Sequence, residues 1–245
     1  MNGNSPSILK TTNGFVTVRQ LCESLFASES SIRRDLKALE VRGLVKRSYG
    51  GAVLENNFSN IVTFNYRTRQ NVNAKREIAQ KASALIKDGD IVFLDQSSTA
   101  FYLAGEIIDR SSLTVVTNNI EIIMLLSNSK MKLISSGGFL SDENRNCLIG
   151  SDAQRTFESI YADIAFFSVK AVSEDGVVTD CSREEIVVRD AMLKNAAQKV
   201  LLCDSSKFAK KAHFVQCRLG DVDYLVSEEN YAQRFSQFRE RVKLL

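Results

Sequence analysis

From Ala74 onward the chain alternates between short runs that are apolar throughout and longer stretches with helical spacing. A strand that is apolar on both faces cannot lie with one face in water, so few folds remain open. Strands are expected at Ile91–Leu94, Leu113–Val116, Met131–Ile134, Ile164–Phe167, Val200–Cys203 and Tyr224–Val226. Helices are expected at Ala100–Ile108, Asn119–Ser127 and Glu184–Ala197, after an earlier one marked by Ile78, Ala82 and Leu85 and closed by Asp88-Gly89-Asp90. The pattern predicts an α/β fold, a mainly parallel sheet covered on both faces.

Small ligands of such sheets bind beyond the carboxyl ends of the strands. Asp95-Gln96-Ser97-Ser98-Thr99 lies between a strand and a helix, where hydroxyls and free amide N–H groups suit a phosphate. Ser98 or Thr99 acting only as a helix cap accounts for that segment equally well. Thr117-Asn118 follows the second strand. Ser136-Gly137-Gly138 follows the third, where glycines would let the backbone approach a ligand. Asp204-Ser205-Ser206-Lys207 follows the fifth and adds a cation. Four strand ends with this chemistry favour one convergent pocket for an anionic ligand over unrelated caps.

Upstream, Ser5-Pro6 reads as a helix start that Asn13-Gly14 soon stops. Thr17 with Gln20 makes a capping-box pattern, and Val18, Leu21 and Leu25 follow at helical spacing. Phe26-Ala27-Ser28 is a tight connection, and Ser28 is the natural N-cap of a second helix. There Ile32, Leu36 and Leu39 share one face, and Gly43 ends the helix. Ser30, Arg33, Arg34 and Lys37 project away from the apolar stripe, with Ser31 beside them. Leu44 to Tyr49 reads as a strand, Gly50-Gly51 as a turn, and Ala52-Val53 as the start of the return.

Basic residues on the outer face of one helix are ordinarily just a solvated surface. Helix, turn, helix and basic hairpin, in that order within residues 17–53, describe a winged helix-turn-helix. A helix fits the major groove, arginine can pair with guanine through two hydrogen bonds, and serines can reach bases or phosphates. The expected DNA contacts are Thr17, Ser28, Ser30, Ser31, Arg33, Arg34 and Lys37, with Lys46, Arg47, Tyr49 and Gly50 on the wing.

Residues 17–53, above all SSIRRDLKALEVRGLVKRSYGGA, closely resemble the N-terminal domain of the DeoR family of bacterial sugar-metabolism regulators. Ile32 to Leu36, Leu39-Glu40, Gly43, Arg47 and Gly50 to Ala52 match that family's pattern. Ala27 and Ser31 stand where valine and threonine are usual. The resemblance continues through FLDQSST, VVTNN, Gly137-Gly138, Gly150, ADIAFFS, EDGVVTD, Glu185 and LLCDSSKF, and so covers nearly the whole chain. It implies an effector domain whose fold is similar to sugar-phosphate isomerases and whose effector is a phosphorylated sugar or related metabolite. It also implies that Asp95, Ser97, Ser98, Thr99, Thr117, Asn118, Glu185 and Lys207 lie near that effector, and Gly137 and Gly138 join them from the strand-end reading. One departure stands out: Ser168 and Ala171 replace glycines common in the family, with Lys170 between them. Lys170 is either a further phosphate contact or a surface charge.

The expected organisation is a DNA-binding domain at 1–54, a linker at 55–73 where no period holds, and an effector domain at 74–245. Phe64, Tyr66 and Arg67 within the linker can pack on either domain. A net charge of +3 is too weak to argue for nucleic acid by itself. Five widely spaced cysteines at no metal-ligand interval argue against a disulfide framework and for reduced thiols. The single histidine, His213, reads as a loop residue and restricts metal and general-base chemistry. No apolar run reaches membrane-helix length and the start lacks a signal-peptide core, so a soluble cytoplasmic protein is expected. Phe235 and Phe238 are expected in a last helix, packing a core or an interface.

Two functions from different classes remain. One is a regulator that senses a sugar phosphate in the large domain and binds operator DNA with the small one. The other is a sugar-phosphate isomerase-like enzyme with an accessory DNA-binding module. Isomerisation needs a carboxylate base at a substrate carbon, and the spacing of Asp95, Glu185 and Lys207 shows no such geometry. A helix-turn-helix gives a sensor an output, whereas an isomerase needs none. The expectation is a regulator without cofactor or metal; the resemblance favours repression relieved by the metabolite, with activation or a corepressor as the alternatives. It is expected to bind double-stranded DNA as a homo-oligomer (dimer or tetramer), since one such motif reads only a half-site.

Overall fold

In the computed structural model, which describes residues 15–41, 45–48, 50–54, 64–228, 238 and 242–245, the chain divides into two units, Met1–Val62 and Thr63–Leu245. The small unit contains β1 (Phe15–Thr17), α1 (Val18–Leu25), α2 (Glu29–Val41), β2 (Val45–Ser48) and β3 (Gly51–Leu54). The capping box forms as its spacing predicts: Thr17 Oγ1 accepts from Gln20 N at 3.1 Å, and Gln20 Oε1 accepts from Thr17 N at 2.9 Å. Ser28 Oγ accepts from Ser31 N at 3.3 Å and so caps α2. Val18, Leu21, Ile32 and Leu36 close over Val16, Val45 and Ala52 in one small core. β1 was not expected; it pairs with β3, which also pairs with β2. The helix expected from Ser5, and Gly43, Leu44 and Tyr49, lie outside the described residues.

The turn between the helices holds a strained residue. Phe26 caps α1 in the left-handed region at φ 50° and is 97% exposed. A side chain there carries the Cβ clash that glycine avoids, at a cost on the order of 1 kcal/mol, and its ring gains almost no burial in return. Phe26→Gly is therefore expected to raise the stability of this unit by about 0.5–1 kcal/mol. A thermal melt of the full chain checks this, and a lowered transition would mean that the ring packs on something.

The large unit contains α3 (Phe64–Thr68), α4 (Val72–Ser83), β4 (Ile91–Leu94), α5 (Ser98–Glu106), β5 (Thr114–Thr117), α6 (Ile120–Leu126) and β6 (Lys132–Ser135). There follow β7 (Phe139–Leu140), β8 (Leu148–Ile149), α7 (Ser151–Glu158), β9 (Ala162–Phe167), β10 (Ala171–Val172), β11 (Val177–Asp180) and α8 (Arg183–Lys194). The last elements are β12 (Ala196–Leu202), β13 (Phe214–Arg218), β14 (Tyr224–Val226) and β15 (Lys243–Leu244). Seven strands form one sheet in the order β15-β14-β12-β9-β4-β5-β6, every neighbouring pair parallel.

The continuous apolar runs explain its two covered faces. Along β4, Val92 and Leu94 join one core with Ile78 and Ala82 of α4, Leu103 of α5 and Ile122 of α6. Phe93 joins the other with Phe157 of α7 and Met192 of α8, its ring edge-on to Phe157 at 5.0 Å. Each such fully buried side chain contributes about 1.5–3 kcal/mol.

Some elements differ from expectation. β12 begins at Ala196, so the helix expected to Ala197 stops at Lys194. β15, and an antiparallel sheet in the order β10-β11-β13, were not anticipated. The span read as a linker contains α3, which packs within the large unit: Phe64 meets Phe101 edge-on at 5.8 Å, and Tyr102 Oη donates to Thr68 O at 2.8 Å. Phe238 packs on the core that holds Phe93, while Phe235 lies outside the described residues. All five cysteines are free. No helix among the described residues is long and apolar enough to cross a membrane.

Candidate functional site

In the small unit, α2 buries Ile32 and Leu36 and leaves Ser30, Arg33, Arg34 and Lys37 exposed. Arg33 folds back on Glu29 at 2.6 Å. Arg47 pairs with Glu40 at 2.6 Å, and Glu40 also accepts from the Arg47 backbone N–H at 2.9 Å. That backbone bond, with the guanidinium, holds the Glu40 carboxyl below its usual range. Arg34 and Lys37 make no ion pair among the described residues and keep their donors open. The hydroxyls of Ser28, Ser30 and Ser31 gather at the helix N-terminus, Ser28 Oγ lying 3.0 Å from each of the others. Thr17 spends its hydroxyl on the cap. Gly50 turns the hairpin at φ 78°, and its carbonyl accepts from Val18 N at 2.9 Å, tying wing to helix. The Lys46 side chain and Tyr49 lie outside the described residues.

In the large unit the strand order reverses between β4 and β9, the place where open parallel sheets leave a crevice. Asp95 follows β4 and Ser168 follows β9. Asp95 accepts from Ser97 N at 3.0 Å, from Ser168 N at 3.1 Å and from Arg189 Nε at 3.2 Å. Arg189, 1% exposed, also meets Asp180 at 3.0 Å and donates to Gln216 Oε1 at 2.7 Å. Both Asp95 oxygens are thus engaged by the protein, and Asp95 is part of the frame of this crevice.

Beside that frame lies an amide network. Glu185 accepts from Gln96 Nε2 at 2.9 Å and from Asn144 Nδ2 at 2.8 Å. Asn118 Nδ2 donates to Gln96 Oε1 at 3.3 Å and to Leu148 O at 3.2 Å. Burial pushes the Glu185 carboxyl up and Asp180 adds to this, while Arg67 and Arg189 act the other way. Burial likewise pushes the Cys147 thiol up.

Cations gather on the other flank. Lys207 Nζ donates to Ser168 Oγ at 2.6 Å and lies 3.7 Å from Asp204. Lys75, buried, donates to the carbonyls of Arg67 and Gln70. Burial and the neighbouring Lys207 ammonium bring Lys75 down to about 8. Burial works to raise Asp204, but Lys207, Ser206, Lys75 and Asn71 hold its carboxyl low. The Arg67 charge is felt at Lys75 and at Glu185, so it links the two flanks.

The remaining expected residues separate by surroundings. Ser97 Oγ caps α5 by accepting from Ala100 N at 3.0 Å. Thr117 Oγ1 accepts from Asn119 N at 3.1 Å. Thr99 Oγ1 and Asn118 Oδ1 are buried without a partner among the described residues. The close approach that Gly138 permits is to its own chain, since a Cβ there would sit 2.2 Å from Ile149 O. Gly137 turns at φ 67° beside it. Lys170 is exposed, and its charge is felt at Cys181. Arg67, Lys75, Gln96, Asn144 and Arg189 were not anticipated. A usable signal existed for two: Lys75 shares a helical stripe with Ile78, Ala79 and Ala82, and Arg189 shares one with Val188 and Met192. A charge on an apolar stripe marks a buried, partnered group.

A family model described as the DeoR C terminal sensor domain matches residues 70–229, and one described as the DeoR-like helix-turn-helix domain matches residues 9–58. The HTH-type transcriptional repressor GlcR of Bacillus subtilis is 31% identical over 227 residues, covering 92% of this chain and 87% of the repressor. The lactose phosphotransferase system repressor of Lactococcus lactis is 30% identical over 239 residues, covering 94% of this chain and 93% of that one. Among solved structures, ribose 5-phosphate isomerase A from Methanocaldococcus jannaschii overlaps 57% of this chain and 55% of that one, with a TM-score of 0.44 and 21% sequence identity.

Proposed function

This chain belongs to the DeoR family of transcriptional regulators, and on that premise we propose that it represses a carbohydrate-utilisation operon until a phosphorylated sugar binds its large unit. The observation that carries the reading is one cluster: Arg67 of α3, Lys75 of α4 and Lys207 beyond β12 lie close enough for Lys75 to feel both other charges, and Thr99 Oγ1 at the start of α5 is buried without a partner among the described residues. Three cations and the N-terminus of α5 suit a phosphate, and the Glu185–Gln96–Asn118 network suits hydroxyls.

The chain acts as a homo-oligomer, because a single helix-turn-helix reads only a half-site. Effector binding changes operator affinity by linkage, a coupling typically about 1–3 kcal/mol, or about 5- to 150-fold. We read the large unit as a sensor and not as a catalyst. Asp95 is engaged by three protein donors and Glu185 by two, so both carboxylates considered as a base are occupied by structural bonds. The relatives above carry names of repressors, not enzymes. Isomer formation above background from any sugar phosphate would reverse this.

The direct test is a melting experiment on the full chain with a panel of sugar phosphates. A ligand at a hundred times its Kd adds about 2.7 kcal/mol to stability. Lys207→Ala is expected to weaken binding about tenfold, removing roughly half of that gain. A panel that leaves the wild-type curve unmoved means the cluster is not the effector site.

A further inference from the structure

The amide network has a direction. Glu185 presents only acceptors when ionised, so the Gln96 amide must turn its NH2 toward it, as the 2.9 Å contact shows. Gln96 Oε1 then faces Asn118 and receives its Nδ2. That NH2 also faces Leu148 O at 3.2 Å and Cys147 Sγ at 3.4 Å. Reversing Asn118 would set its oxygen against two other oxygens. The carboxylate thus fixes Gln96, and Gln96 Oε1 together with the Leu148 carbonyl fixes Asn118; the series ends on Asn118 Oδ1, an atom of a fully buried residue and without a partner among the described residues. An orphaned buried acceptor is costly, so this one is held ready for a donor.

Resting on the effector reading above, we infer that Asn118 Oδ1 accepts from a neutral hydroxyl of the effector, and that Gln96 is the positioning residue that makes the site select on hydroxyl pattern. The phosphate monoester of a sugar phosphate, with its second pKa at about 6, is mostly a dianion without a proton at neutral pH and would be repelled by this acceptor oxygen. The phosphate therefore lies toward Lys207 and the hydroxyls toward Asn118, which gives the bound effector a polarity. Selectivity of this kind is strong because the wrong isomer leaves the acceptor unpaired.

The test uses the full-length chain and isothermal titration with epimeric probes: glucose, mannose, galactose and allose 6-phosphates, ribose, arabinose and xylose 5-phosphates, and inorganic phosphate. The wild type is expected to separate the best from the worst epimer of one series by roughly 10- to 100-fold. In Gln96→Met, which keeps the bulk and removes one of the two oxygens that hold the Asn118 amide, that spread is expected to fall to within about threefold, with affinity for inorganic phosphate unchanged. Glu185→Gln, isosteric and free to present either end to Gln96, is expected to compress the ranking too, and carries the test if Gln96→Met melts abnormally. An unchanged ranking in the folded variant overturns the inference, as does a parallel loss of inorganic phosphate. If the wild type binds no sugar phosphate at all, the effector reading fails first and this one falls with it.

Discussion

Arg189→Met is expected to destabilise the large unit by about 3–5 kcal/mol, the usual cost of removing one partner from a buried ion pair. The guanidinium is the shared counter-charge of Asp95 and Asp180 and a donor to Gln216. Without it Asp95, wholly buried at the end of β4, keeps only its backbone donors. The antiparallel sheet loses two of its ties to α8 as well, because Asp180 lies on β11 and Gln216 on β13, while the bond from Gln216 Nε2 to Asp190 remains. For a unit of this size the loss corresponds to a fall in Tm of roughly 6–20 °C. Asp95→Asn added to Arg189→Met is expected to recover part of the loss, since the unpaired charge goes with it. Thermal and urea unfolding read both; an Arg189→Met transition within about 2 °C of the wild type would mean that Arg189 does not hold this frame together.

Arg34→Ala is expected to cost about 1–3 kcal/mol of operator binding, or roughly 5- to 150-fold, and to relax base preference at one position of the half-site. Arg34 is the α2 arginine with an open fork: Arg33 is folded onto Glu29, and Arg47 onto Glu40. Arg33→Ala should therefore cost less, because DNA contact by Arg33 first has to break its intrahelical pair. Binding curves on operator and on random duplex at several salt concentrations separate the roles. A loss equal on both sequences, with a shallower salt slope, would make Arg34 a phosphate contact.

The sequence was most readable where local chemistry decides the structure. Thr17 and Gln20 form their cap from adjacent residues alone, and Ile91–Leu94 and Tyr224–Val226 are strands at the bounds their apolar runs imply. It was least readable where distant contacts decide. Arg67 sits on a five-residue helix too short to show a period, held by Phe101 and Tyr102. β10 has two residues and β11 four, with no lasting alternation, and Arg189 and its partners anchor them. Asp95 illustrates the difference within one motif. Its loop was legible as the turn between a strand and a helix, but its engagement by Ser168 and Arg189 depends on segments more than seventy positions away.

The proposed effector cluster also has an order in time. Its residues span Arg67 to Lys207, and the β4–β9 seam does not exist until both halves of the sheet are made. A chain is synthesised from its N-terminus at about 5–20 residues per second, so roughly 7 to 30 s separate the completion of Val62 from that of Lys207. During that interval the nascent chain carries its DNA-reading unit without the receptor that governs it. On the proposed reading each new molecule begins as a reader and becomes a switch only when the fifth strand of the sheet along the chain, β12, and the lysine beyond it leave the ribosome.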